Sequence, residues 1–166
     1  MKPNIDIELL KTFLSYDKES GHLTWLVRRG KAQKGDIAGC LDGQGYVVVA
    51  IMGKLYNAHR IAWAIHYGYW PKQAIDHKNL VKSANWIDNL RLCTTSQNLA
   101  NTAPWSTNTS GKKGVTWNKK SCKWQAGIRV NGVTKHLGLF ADIELAAAAY
   151  ASASKEAFGN FARTEA

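Results

Sequence analysis

The sequence predicts an α+β protein of two modules: a β-loop-β-α unit, then a three-stranded antiparallel sheet packed on one helix. Three observations support that class. Strand-like and helix-like periods alternate through the amino-terminal part. A small, polar stretch broken by Pro104 interrupts them over residues 101–111. Beyond it, short β-prone runs separated by turn residues lead into an alanine-rich segment.

Leu9, Leu10, Phe13 and Leu14 recur at helical spacing, predicting an amphipathic helix within residues 5–16. Residues 22–25, after Gly21, read as a strand following a turn. Residues 39–45 are loop-like, and 46–51 are β-branched enough to form a strand, which Met52-Gly53-Lys54 turns into a second one through Leu55 and Tyr56. From Asn57 the period changes: Ile61, Ala62, Ile65 and His66 fit a helix that stops near Gly68, ahead of Pro71. Residues 75–77 read as a short strand, 78–88 as a loop and 90–93 as the returning strand. Thr94, Thr95 or Ser96 then caps a helix carrying Asn98. After the linker, residues 114–117, 123–130 and 135–138 read as three strands. Asn131-Gly132 is a two-residue hairpin turn, because both residues tolerate positive φ. Asp142 opens a helix over 144–158 that Gly159 ends. Its small-residue stripe (Ala146, Ala149, Tyr150, Ala153, Ala157) suits close approach to a sheet whose other face stays open.

The 166 residues are 45% hydrophobic, with no apolar run long enough to span a membrane and no secretion signal expected in MKPNIDIELLKTF. Cys40, Cys93 and Cys122 are odd in number, far apart and without a C-x-x-C pair, so neither a disulfide framework nor a structural zinc is expected, and a cytoplasmic location is. Net charge is +10. Between Gly111 and His136 lie Lys112, Lys113, Lys119, Lys120, Lys123, Arg129 and Lys135 with no acid among them. Such a one-sign stripe attracts a polyanion through counterion release, with DNA or RNA favoured over a membrane because no amphipathic helix accompanies it.

Asp76-His77, followed by Asn89 and Asn98, places one carboxylate, one imidazole and two carboxamides in a short span. An Asp can hold a hard divalent cation and an Asn oxygen can complete its shell, while a neutral His can take a proton from an attacking water. That mix suits metal-assisted phosphodiester cleavage. Adjacent strand residues point to opposite faces, so for Asp76 and His77 to serve one phosphate the pleat must break where strand runs into loop. Other residues stay open between two roles. His59 begins a helix, as a local hydrogen-bond partner or a phosphate contact. Arg60 and Arg91 either grip phosphate or pair with Asp88 or another acid. Trp117 and Trp124 either touch sugars and bases or bury against the alanine helix. Trp25, Trp63 and Trp86 read as core, and His22 and His66 as surface or packing residues.

Two family resemblances emerge from these blocks. Tyr16-Asp17, Gly21-His-Leu-Thr-Trp25, Gly45-Tyr46, Ala58-His59-Arg60-Ile-Ala-Trp63, Ile75-Asp76-His77, Asn85, Asn89-Leu90-Arg91 and Gln97-Asn98 occur in the order found in phage-type His-Asn-His (HNH) homing endonucleases, which residues 16–101 resemble. The loop departs from that pattern at Leu80-Val81 and Trp86. Residues 109–162 are similar to an APETALA/ethylene-response-factor type DNA-binding domain. The marks are Ser110-Gly111, Gly114-Val115, Trp117, Lys123-Trp124, Ala126, Asn131-Gly132, Leu137-Gly138, Phe140, Glu144, Ala146-Ala147 and Ala149-Tyr150.

The resemblances imply a ββα-metal nuclease module over residues 1–103, with its core at about 74–101, a linker at 104–110 and the DNA-binding domain at 111–163. Asp76 and Asn98 would bind one Mg²⁺ or Mn²⁺, His77 would be the general base, and Asn89 would brace the loop and orient it. His59, Arg60, Arg91, Lys113, Trp117, Lys119, Lys120, Lys123, Trp124, Arg129 and Lys135 would contact double-stranded DNA. The implied activity is hydrolysis to 5′-phosphate and 3′-hydroxyl ends by a monomer or weak dimer, in the host cytoplasm if phage-encoded. The rival reading is a non-catalytic DNA-binding or regulatory protein with an inert nuclease motif; RNA as the substrate is a third.

Overall fold

In the computed structural model, which describes residues 5–104 and 107–163, Asp6 accepts a hydrogen bond from Leu9 N and opens α1 (Ile7–Phe13). The helix is shorter than its periodicity predicts. Leu14 leaves helical geometry because it pairs across β1 (Leu14–Tyr16) with Trp25 of β2 (Leu23–Trp25). Both residues are buried, so burial in a sheet outweighs one more helical turn. Residues 39–45 contain more order than a loop: β3 (Cys40–Leu41) pairs with β4 (Val47–Ile51), which pairs in turn with β5 (Lys54–Asn57). Met52 and Gly53 take positive φ at that tight turn.

The change of period at Asn57 marks α2 (Ala58–Tyr67), which Gly68 ends in the left-handed conformation, with its N–H on Ala64 O. The core of this first compact unit, Met1–Leu92, gathers Leu10, Leu14, Leu23, Val49, Ile51 and Ile61. A second cluster joins Ala62 and Trp63 of α2 to Ile75 and Leu90. These two residues belong to β6 (Ala74–His77) and β7 (Leu90–Cys93), which form a two-stranded sheet. The strands β1 and β2 and their connecting turn support the segment between β6 and β7. Tyr16 Oη donates to Asn85 O at 2.8 Å and Ile87 N donates to Lys18 O. Gly21, with φ +78, lies so close to Asn85 and Trp86 that any Cβ would run into their backbone.

The other compact unit spans Cys93–Ala166. It opens with α3 (Thr95–Asn101), whose capping box joins Thr94 and Gln97 reciprocally. Then β8 (Val115–Asn118), β9 (Lys123–Val130) and β10 (Val133–Phe140) form an antiparallel sheet in the order β10-β9-β8, and α4 (Ile143–Phe158) packs on it. Asn131 and Gly132 both have positive φ at the β9–β10 turn. The face that α4 buries is Ala146, Tyr150, Ser154 and Phe158, a pure i, i+4 row, whereas Ala157 is exposed. The stripe therefore ends on Phe158, whose size lets it reach the core with Ile128 and Tyr150. The expected linker residues Trp105 and Ser106 lie outside the described residues. Among the described residues no helix is long and apolar enough to cross a membrane.

The close approach at Gly21 has a measurable consequence. Gly21→Ala combines a strained positive φ with a backbone collision and should lower the unfolding free energy by at least about 2 kcal/mol. Urea denaturation reads this; an unchanged midpoint would mean that residues 85–86 move aside without cost.

Candidate functional site

Asp76 and His77 occupy the last two positions of β6, and both are buried. They face different partners. Asp76 Oδ2 accepts from Arg91 Nε and is also 2.8 Å from Arg91 Nη2, so the guanidinium of β7 fixes the carboxylate. Of the two roles open to Arg91, pairing with an acid is the one seen here, and the acid is Asp76.

His77 ends the strand, and the chain turns beyond it: Leu80 N donates to His77 O and Leu80 itself has φ +66. Asn85 Oδ1 lies 3.0 Å from His77 Nε2 and accepts its hydrogen, which leaves Nδ1 as the basic nitrogen. Burial holds the imidazole below the ordinary histidine range; the Asn85 hydrogen bond and Asp76 oppose that, and Lys82 adds to it. His77 is thus biased toward the neutral form a general base requires.

The loop between the strands is closed by carboxamides. Asn89 Nδ2 donates to Ala84 O at 2.7 Å and to Asn79 Oδ1 at 2.9 Å, and Asn89 Oδ1 accepts from Asn79 N. These bonds brace the loop, while the contact to His77 Nε2 comes from Asn85. Sequence reading includes Asn85 in a motif but assigns it no role, since a polar loop residue gives no local sign of a partner eight positions away.

Two further residues complete the setting. His59, in the first turn of α2, meets the His77 ring edge-on with centroids 5.1 Å apart, and Tyr46 lies against both rings. His59 is only 6% exposed and its Nδ1 is buried without a hydrogen-bond partner. Burial, then His77 and Arg60, pushes it down to about 3, so it is neutral. Tyr46, expected as the first residue of a strand and as part of the Gly45-Tyr46 block, lies just before β4 and is also covered by the Lys82 ammonium, 4.9 Å from its ring centroid. Arg60 donates to Pro71 O and Gln73 O, tying α2 to the segment entering β6. Among the described residues no three His, Cys, Asp and Glu side chains converge on one point.

In the other unit, Asn98 lies in α3 and is half-buried, with its N–H on Thr94 O. Lys119, Lys120, Lys123, Arg129 and Lys135 are exposed, Arg129 also donating to Gly132 O. Trp117 is exposed and meets its cross-strand neighbour Trp124 edge-to-face at 5.0 Å; Trp124 is half-buried against the core beneath α4. Lys113 stands apart from the exposed lysines, because its Nζ donates to the carbonyls of Leu99, Ala100 and Thr102.

Residues 56–100 match the family model of the HNH endonucleases, a span that contains His59, Asp76, His77, Asn85, Asn89, Arg91 and Asn98. Among solved structures, the HNH homing endonuclease I-HmuI, studied for DNA binding and cleavage, aligns with 58% of this chain and 55% of its own. The identity is 26% and the TM-score 0.43. No curated protein matches the chain.

The buried neutral His59 makes stability depend on pH. Between about 6.5, its unfolded value, and about 3 the unfolded chain binds a proton that the folded one does not. Stability is therefore full above that window and falls as pH drops through it, by at most about 1.4 kcal/mol per pH unit from this group. In urea unfolding at about pH 7.5 and about pH 5, His59→Phe should lose less stability on acidification than wild type; an equal loss would place the proton elsewhere.

Proposed function

We propose that the chain is a metal-dependent DNA endonuclease of the HNH type, with His77 as general base. The observation that carries this reading is the buried Asp76-His77 pair at the end of β6, inside the segment that matches the HNH family, with His77 Nε2 held by Asn85. A carboxylate held by Arg91 and a carboxamide oxygen are hard donors that fit Mg²⁺ or Mn²⁺, ions that keep much of their water. We propose Asp76 and Asn98 as the residues that hold one such ion. When bound, it would act as a Lewis acid on the phosphate and the departing 3′ oxygen.

The chain's own residues supply the remaining functions. His77 Nδ1 takes the proton of the attacking water, while Asn85 fixes the tautomer through Nε2. Asn89 closes the loop that presents both Asn85 and His77. His59, kept neutral, adds no positive charge that would repel the imidazolium formed as His77 accepts its proton. The expected products carry 5′-phosphate and 3′-hydroxyl ends. The exposed cations of the β8–β9 turn, β9 and β10 and the exposed ring of Trp117 support the further reading that this sheet binds double-stranded DNA, as the APETALA-type resemblance implies.

Incubation of the protein with plasmid DNA and Mg²⁺ or Mn²⁺ tests the reading. Cleavage should vanish with EDTA and return with excess metal. His77→Ala should lower the rate by about two orders of magnitude or more while DNA affinity holds. Undiminished cleavage by that variant removes His77 as the base, and no cleavage by wild type with either ion favours the inert, DNA-binding alternative. The acid limb of the rate profile should lie below the ordinary histidine value of 6.5, because burial lowers His77; a limb above it would contradict that environment.

For the sheet, replacing Lys119 and Lys123 by Ala should reduce the slope of log affinity against log salt by about 0.9 for each phosphate no longer neutralised. An unchanged slope would show that these lysines do not meet phosphate.

A further inference from the structure

The lysine stripe of the second unit contains one member whose surroundings set it apart. Lys113 Nζ lies 2.9 Å from Leu99 O, 2.6 Å from Ala100 O and 2.6 Å from Thr102 O. Those carbonyls end α3, where acceptors lose their intrahelical donors and the negative end of the helix dipole lies; Leu99 O also accepts from Thr102 Oγ1, and Ala100 O from Arg163 N. An ammonium has three hydrogens and no acceptor, so these three bonds match its donor capacity. Lys113 is half-buried, and burial, with Arg163 second, pulls it down to about 8. Lys119, Lys120 and Lys123, by contrast, are exposed.

The rest of the attachment of α3 is also largely polar. Ser96 Oγ accepts from Asn131 N at the β9–β10 turn, and Arg163 N donates to Ala100 O. Of the α3 side chains, Ala100 joins the apolar cluster of Ile128, Tyr150 and Phe158. A cavity of about 590 Å³ lined by Leu99, Ala100, Lys113, Gly127, Ile128 and Tyr150 flanks it. These polar ties hold the helix together with the packing of Ala100 and the buried Asn101.

We propose that Lys113 is a positioning residue for Asn98, one of the proposed metal ligands: by bonding the last carbonyls of α3 it fixes the helix that carries that side chain within its own unit. This rests on the reading of Asn98 as a ligand under the proposed function. It reassigns Lys113 from the phosphate contact that its place in the basic stripe suggests.

The test compares full-length wild type with Lys113→Met, Lys113→Arg and Ser96→Ala. Amide exchange of α3 should quicken about tenfold in Lys113→Met while β9 and α4 keep their protection. The Mn²⁺ concentration for half-maximal cleavage should rise about tenfold, the usual scale for loss of a group that orients a ligand. DNA affinity, measured without metal, should stay within about twofold, and its salt slope should not change. Lys113→Arg, which keeps the donors, should recover most of the metal response, and Ser96→Ala should repeat the Lys113→Met pattern more weakly.

A fall in DNA affinity and salt slope with unchanged α3 exchange and Mn²⁺ response would overturn the proposal and restore Lys113 as a phosphate contact. Should Lys113→Met fail to fold, Ser96→Ala decides: unchanged α3 exchange and Mn²⁺ response in that variant overturn the proposal. If wild type cleaves nothing with either ion, the endonuclease reading fails separately, and α3 exchange still decides whether Lys113 holds the helix.

Discussion

The geometry of the candidate site depends on how Asn85 is held. Its backbone carbonyl takes the Tyr16 hydroxyl, its side chain takes His77 Nε2, and Gly21 allows the chain to pass against it without a Cβ in the way. A buried imidazole with no fixed partner would cost about 1–3 kcal/mol and could adopt either tautomer. By bonding one nitrogen, Asn85 decides which nitrogen is basic. The strands β1 and β2, distant in sequence from the site, are thereby part of its support.

Around this contact the charges are arranged so that few repel. The acid at position 76 is neutralised by Arg91, and His59 is kept uncharged by its burial and neighbours. Tyr46 fills the space beside both histidine rings with an aromatic face, and Lys82 sits over the Tyr46 ring while its ammonium donates to Gln44 O. A pocket of neutral imidazoles beside one compensated carboxylate can receive an added positive charge, from a proton or an ion, more readily than one already cationic.

In the second unit, cations close together in sequence have separate structural fates. Lys119, Lys120 and Lys123 project into solvent from the β8–β9 end of the sheet, whereas Lys113 is consumed by the end of a helix. Counting charges along the chain cannot separate these two cases, because an ammonium bonded to carbonyls and one left in water have the same formal charge. What divides them is whether backbone acceptors lie within reach.

Features set by interactions a few residues apart were legible in the sequence. The Asn131-Gly132 turn and the Gly68 stop each depend on local backbone geometry, and a residue's type alone indicates them, whereas the cap of α3 was legible only as Thr94, Thr95 or Ser96. The residues Asp76, His77, Asn89 and Asn98 were also visible by type and spacing. What only the tertiary structure decided are the pairings that bring separated segments together. These include Leu14 against Trp25, Asp76 with Arg91, Asn85 on His77, and Lys113 on the end of α3. The physical reason is that such partners are chosen by the packing that brings them within hydrogen-bond or van der Waals distance, and a linear pattern carries no record of that distance.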